Sequence, residues 1–276
     1  MRRSTSRRTL FVLVSGLAAS ASAAQASTNL AIDPARSNLS VTLTISGSSA
    51  TDSSPVTGFF LVDLNSPSGP TQIGLRDFQI NVSETLTLNI SFGFLGRFNS
   101  TASNVSVRYA NPGTLFGPVP ITATNFEFTG VPSTTSGTLN YSATGIVCTL
   151  LQGSQLPCTG NINLADQGEQ SADSVGGTLT VANRVATLTG AIDVTSPIDP
   201  DNPGIGTIRV NGSIVAAGSV RCEADFNNDG QVDFFDYLDF VNAFGNDEVA
   251  ADFNADGQVD FFDYLDFASA FAAPCE

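Results

Sequence analysis

Two short stretches of the chain concentrate its oxygen-donor chemistry. Residues 225–236 read Asp-Phe-Asn-Asn-Asp-Gly-Gln-Val-Asp-Phe-Phe-Asp, and residues 252–263 repeat them with Ala255 in the place of Asn228. A hard dication such as Ca²⁺ takes about seven oxygens at roughly 2.4 Å, arranged around a tight turn. In the first stretch Asp225, Asn227 and Asp229 stand at positions 1, 3 and 5, and Asp236 at position 12 closes the set. Gly230 at position 6 permits the sharp bend, and Gln231 at position 7 offers its backbone carbonyl. Asp252, Asn254, Asp256, Gly257, Gln258 and Asp263 repeat the arrangement in the second stretch. Asp233 and Asp260 at position 9 are placed to act through a water. Val232 and Val259 at position 8 are placed to join the loops by a short β bridge. Without a cation the four carboxylates in each 12-residue loop repel one another, so two Ca²⁺ ions are expected.

The segment after each loop has helical spacing. Tyr237, Phe240, Val241 and Phe244 fall at i, i+3, i+4 and i+7, with Gly245 as a stop. Tyr264, Phe267, Ala268 and Phe271 take the same places in the second unit, where Pro274 blocks continuation. The 17 residues from Ala224 to Phe240 recur 27 residues later, from Ala251 to Phe267, with 16 positions identical. Neither unit can bury its apolar residues alone, so the two are expected to pack on each other.

The loops closely follow the EF-hand calcium loop. They depart from it in having Asp at position 12 and no helix before the loop. A calcium loop plus one helix, used twice, resembles the type I dockerin module, over about residues 222–276. Thrombospondin-type calcium repeats share the loop spacing but usually lack an apolar helix after it, and stand second. The dockerin resemblance implies that each Asp-Asn-Asp-Gln-Asp set is a calcium shell. It also implies a cohesin-like or other surface partner that docks a secreted protein, often one that degrades polysaccharide. In that family positions 10 and 11 commonly carry small or hydroxylated residues that help recognise cohesin. Here they are Phe234-Phe235 and Phe261-Phe262. Either one Phe of each pair packs in the module's core, or the other is exposed as an apolar docking face. The substitution points to a divergent partner.

The larger part of the chain, residues 27–219, reads as all-β. Leu39–Ser46 and Thr85–Phe92 alternate apolar and polar residues, the signature of half-buried strands. Val56–Leu64, Phe78–Val82, Val105–Tyr109, Ile121–Phe128, Thr138–Ser142, Gly177–Val181, Val185–Val194 and Thr207–Val215 are further candidates. Turn clusters such as Asn65–Pro70 and Asn111–Gly113 separate them, and Ile198–Gly204 reads as a surface loop. No helical period is apparent there. The fold class expected is therefore mainly β, a sandwich or a barrel, with a small α-helical calcium-binding module over 220–276.

The 276 residues contain no His, no Lys and no Trp, and all 11 basic residues are Arg. Ser-His-Asp and Cys-His pairs, His-ligated zinc and lysine Schiff bases are excluded. The formal charge is -15, and residues 222–276 hold 14 of the 26 acids with no Arg. Such a surface repels nucleic acid and anionic membranes. In the middle region the carboxylates Glu84, Glu127, Asp77 and Asp63 belong to no recognised hydrolase motif. The reading is a non-catalytic β domain. The alternative is a carbohydrate-active enzyme of glycoside hydrolase type or a carbohydrate-binding component. A second alternative is a ligand-carrying barrel, since Ile32–Ser37 faintly resembles the start of the polyisoprenoid-binding YceI-type family.

Residues 1–26 read as an export leader. Four Arg lie in the first eight positions, Leu10–Ala19 is apolar, and Ala24-Gln25-Ala26 places cleavage before Ser27. Both a Sec and a twin-arginine route fit, and the expected address is extracellular or cell-surface, with periplasm as an alternative. No membrane insertion is expected after cleavage. Export allows disulfides. Four Cys allow three pairings, and the nested layout favours Cys148–Cys158, stapling a hairpin, and Cys222–Cys275, clasping the acidic module.

Overall fold

The computed structural model describes residues 27–272, apart from 68, 154–156, 199–203, 221, 228, 230 and 255, and apart from the side chains of 172 and 173. The leader expected over 1–26, most of the 198–204 loop, Gly230, Pro274 and Cys275 lie outside that range.

The chain is mainly β. Twelve strands form one antiparallel sheet: β1 Thr28–Ile32, β2 Asn38–Ile45, β3 Ser48–Leu64, β4 Gln72–Val82, β5 Leu86–Ser91, β6 Arg97–Tyr109, β7 Phe116–Pro120, β8 Asn125–Ala143, β9 Thr159–Asn163, β10 Glu169–Ala182, β11 Val185–Pro197 and β12 Gly206–Ser219. Among the described residues three α-helices accompany them: α1 Ile146–Gly153, α2 Phe234–Gly245 and α3 Phe261–Ala272.

Alternation explains the strands. In β5, Leu86, Leu88 and Ile90 are buried while Thr87, Asn89 and Ser91 are exposed. Two-residue turns with positive φ at both positions close two hairpins: Ser46-Gly47 joins β2 to β3, and Asn183-Arg184 joins β10 to β11. That geometry matches the strand twist.

Strand β3 is paired on both sides. One side takes β2 over Ser48–Pro55 and then β1 over Phe59–Val62; the other takes β4. Strand β12 likewise takes β11 on one side and β2, then β1, on the other. Strands β1 and β2 thus lie end to end in one slot. Hydrogen-bonded neighbours run β3–β2–β12–β11–β10–β8–β6–β4 and back to β3.

The long strands serve two cores. One contains Leu30, Val62, Ile73, Phe78, Tyr109, Phe128, Leu188 and Ile214. The other lies under β2, β5 and α1 and contains Ile45, Ile90, Phe98, Ala143, Val147 and Leu151. Gly58 in β3 has φ +136, and a Cβ there would collide with the Gln79 carbonyl oxygen of β4. Gly58→Ala is therefore expected to destabilise the β region by about 2–4 kcal/mol, read from the shift of its urea midpoint.

Several expectations change. Helix α1 stands where a stapled hairpin was expected. Cys148 lies within it and is bonded to Cys158. Its Val147 and Leu151 are buried one turn apart, and an eight-residue apolar run does not reveal its period in sequence. The candidate at 121–128, from Asn125 onward, and the one at 138–142 belong to a single strand, β8. The expected stripe on α2 is rotated: Val241 is exposed, and Ala243 is buried with Phe240. Gly245 ends the helix itself, and Asn246 caps it.

Candidate metal centre

Local chain chemistry builds each loop. In the second, the Asp252 oxygens accept from the N–H groups of Asp256 (3.1 Å) and Gly257 (2.9 Å). Asn254 Oδ1 accepts from Asp256 N, and Asp256 Oδ1 from Gln258 N, each at 2.9 Å. These are successive Asx turns, which wind the chain tightly. Gly257 has φ +89, as the bend requires. The first loop repeats the turns at positions 3 and 5, with Asp229 N donating to Asn227 Oδ1 (2.9 Å) and Gln231 N to Asp229 Oδ1 (2.8 Å).

The position-12 carboxylates are fully buried. Asp263 Oδ1 accepts from Phe253 N (2.8 Å) and Asn254 N (3.1 Å), and its Oδ2 from Asp260 N (2.7 Å). Asp236 accepts from Asn227 N (3.1 Å) and Asp233 N (2.8 Å). Each ties the start of its loop to the start of the following helix. Asp233 is the N-cap of α2, accepting from Phe235 N, and Asp260 accepts from Phe262 N in the same way. Position 9 thus caps the helix, a role that sequence reasoning did not assign to it.

The donors available are carboxylate, amide and carbonyl oxygens, a set suited to a hard dication and not to a soft one. Among the described residues no three His, Cys, Asp or Glu side chains are gathered into a ready cage. Asp225 differs from its counterpart Asp252. It is buried and pairs with Arg184 of the β10–β11 turn, Nη2 to Oδ2 at 2.9 Å. Sequence reasoning missed Arg184; nothing local links residues 41 apart.

The helices join the loops. The Phe240 and Phe267 rings stack at 3.9 Å and 6°, both fully buried. Phe226 meets Phe240 edge-on, and Phe253 meets Phe267 in the same way, at 5.5 and 5.6 Å. The matched contacts describe a local two-fold. Among the described residues no β bridge joins Val232 to Val259; Val259 packs against the ring cluster instead. Cys222 is disulfide-bonded; its expected partner Cys275 lies outside the described residues.

All four phenylalanines of the two pairs are exposed, at 63–64%. Neither member of a pair enters the core, because Phe226, Phe240, Phe253 and Phe267 already fill it. Phe234 stacks on Tyr237 and Phe261 on Tyr264, at 6.3 and 6.2 Å. The two tyrosine hydroxyls are 3.5 Å apart. The hydrogen bond with Tyr264 pushes the Tyr237 phenol above its ordinary range.

The middle carboxylates do not form a cleft. Asp63 is buried, accepting from Ser27 Oγ and Arg76 Nε at 2.7 Å each. Glu127 points outward between buried Phe126 and Phe128 and accepts from Ser174 Oγ. Asp77 is half-buried and Glu84 exposed. The dimple beside Asp63, between Gln72 and Leu115, holds about 50 Å³. That is room for a water or two, against roughly 300–1,000 Å³ for a small-molecule site. No protein-family model matches the chain, and no curated protein matches it.

Proposed function

We propose that residues 220–276 form a dockerin-like module that binds two Ca²⁺ ions and attaches an exported, non-catalytic β domain, residues 27–219, to a cohesin-like or other surface partner. The observation that carries this reading is the matched folding of the two loops. In both, the oxygens at positions 3, 5 and 12 accept the same backbone bonds, closed by a buried Asp236 or Asp263. Asp225, Asn227, Asp229, Asp236 and the Gln231 carbonyl would hold one ion. Asp252, Asn254, Asp256, Asp263 and the Gln258 carbonyl would hold the other. Bound calcium would screen the crowded carboxylates and stabilise the loops by mass action, about 2.7 kcal/mol per site at a hundredfold excess over Kd.

The Cys148–Cys158 bond supports export, because disulfides persist in oxidising compartments. The closed circuit of strand pairs favours a barrel over a sandwich. Its interior is filled by side chains such as Phe60, Phe78 and Tyr109, which supports a structural role over a carrying one.

The test is a calorimetric Ca²⁺ titration of residues 27–276, with circular dichroism before and after chelation. Two equivalents bound, with helix lost on chelation, are expected. Absence of binding would sink the reading.

The exposed phenylalanines support an apolar docking face. Phe235→Ser combined with Phe262→Ser is expected to leave stability within about 1 kcal/mol, since both rings are solvent-facing. The same pair should weaken partner capture from cell-surface extract at least about tenfold, as loss of aromatic anchors does. Pull-down with the wild-type and double-variant chains checks both.

A further inference from the structure

We propose that Arg184 makes the two calcium loops unequal, holding the first as the weaker site and linking its loading to the β domain. This rests on the reading that both loops bind calcium. The repeats are almost identical in sequence, so equal affinities are the default. The structure breaks the equality at one residue. Asp225, at position 1 of the first loop, is paired with the Arg184 guanidinium, whereas among the described residues no arginine pairs with Asp252, its equivalent.

The arrangement is a built one. Arg184 is the second residue of a two-residue hairpin turn, with φ +59. Glycine is the preferred residue there, and a side chain in that conformation is held at a cost. The Arg184 carbonyl also accepts from Val220 N at 2.8 Å. Val220 is packed in the larger β core. One turn residue therefore grips the chain twice as it leaves the β domain, by its backbone at 220 and by its guanidinium at 225. The Asp225 side chain is 6% exposed, so water screens this pair poorly.

A dication in the first loop needs the Asp225 carboxylate. The guanidinium already neutralises that ligand and repels a second cation brought beside it. Among the described residues no guanidinium pairs with the second loop. Linkage makes the effect mutual: a bound ion weakens the Arg184–Asp225 pair by the same factor by which the pair weakens the ion. The first loop thus reports calcium to the junction between the two domains, and the second serves its own fold.

The test is calorimetric titration with Ca²⁺ alone on residues 27–276, in the wild type and in Arg184→Gly and Arg184→Gln. Each is repeated with Asp252→Asn, which leaves the first loop as the remaining site. Arg184→Gly suits the turn, so the hairpin is kept. Wild type should show two constants at least about tenfold apart. Both Arg184 variants should bring them within about threefold, by strengthening the first site while the second stays constant. First-loop affinity that is unchanged or reduced in both variants would overturn the proposal, the latter showing that Arg184 orients the ligand. Wild-type chain that binds no calcium would instead overturn the reading of the loops as calcium sites, and this proposal with it.

Discussion

Phe267→Ala is expected to remove cooperative folding of the C-terminal module while leaving the β region's transition in place. The ring is fully buried and stacks on Phe240 at 3.9 Å. Phe226 and Phe253 meet its edges at 6.2 and 5.6 Å. Truncating such a side chain costs about 3–5 kcal/mol, as transfer energy plus the cavity left behind. A domain of this size rarely has more than about 3–5 kcal/mol in its core, so the loss is comparable with the whole. Phe262→Ala, which removes a ring that is 64% exposed, should stay within about 0.5 kcal/mol. Scanning calorimetry of both variants in saturating calcium separates the two transitions. A module that still melts cooperatively within about 1 kcal/mol of wild type would show that the stacked pair is not its core.

Asp263→Ala should be nearly as damaging, for a different reason. The carboxylate is fully buried and accepts from three backbone N–H groups, those of Phe253, Asn254 and Asp260. Removing it leaves those donors without their acceptor, at about 1–3 kcal/mol each before the loop relaxes. We expect a net loss of about 3–5 kcal/mol and a calcium stoichiometry that falls from two to one. Asp263→Asn retains one acceptor oxygen but turns an amide N–H toward a donor, so it should fall between alanine and wild type. Urea titration and calorimetry on the same samples give both numbers. Two ions still bound by the alanine variant would remove Asp263 from the ligand set.

Legibility in the sequence followed the range of the interaction. The loops' hydrogen bonds span two to ten residues, so the residue types and their spacing announced Asp252, Asn254, Asp256 and Asp263 together. Strictly alternating strands such as Leu86–Ser91 were equally plain. Strand β7 was not, because Gly117, Pro118 and Pro120 are residues that argue against a strand. Strand β8 read as two pieces, because the stretch between them, Thr129–Gly137, carries a proline after Val131 and then no apolar residue to keep the period. The Arg184–Asp225 pair depends on a turn meeting a loop from another part of the chain, and no local pattern encodes that. Only packing decided that all four paired phenylalanines face solvent.

The returning circuit of strand neighbours has a consequence for life at high local density. An open sheet ends in rows of unpaired N–H and C=O groups that recruit strands from neighbouring molecules. Here β1 and β2 fill one slot between β3 and β12, and β4 completes the round. Outside that round, β5, β7 and β9 are edges, and Glu169–Gly176 of β10 and Ala191–Pro197 of β11 are each paired on one side, beyond the end of the ladder that joins them. Strand β7 has prolines at 118 and 120, which offer no N–H, and in β5 the Thr87 N–H is taken by Asp52. Copies of the chain at high density would therefore offer one another these partial stretches and not two full-length outer strands of an open sheet.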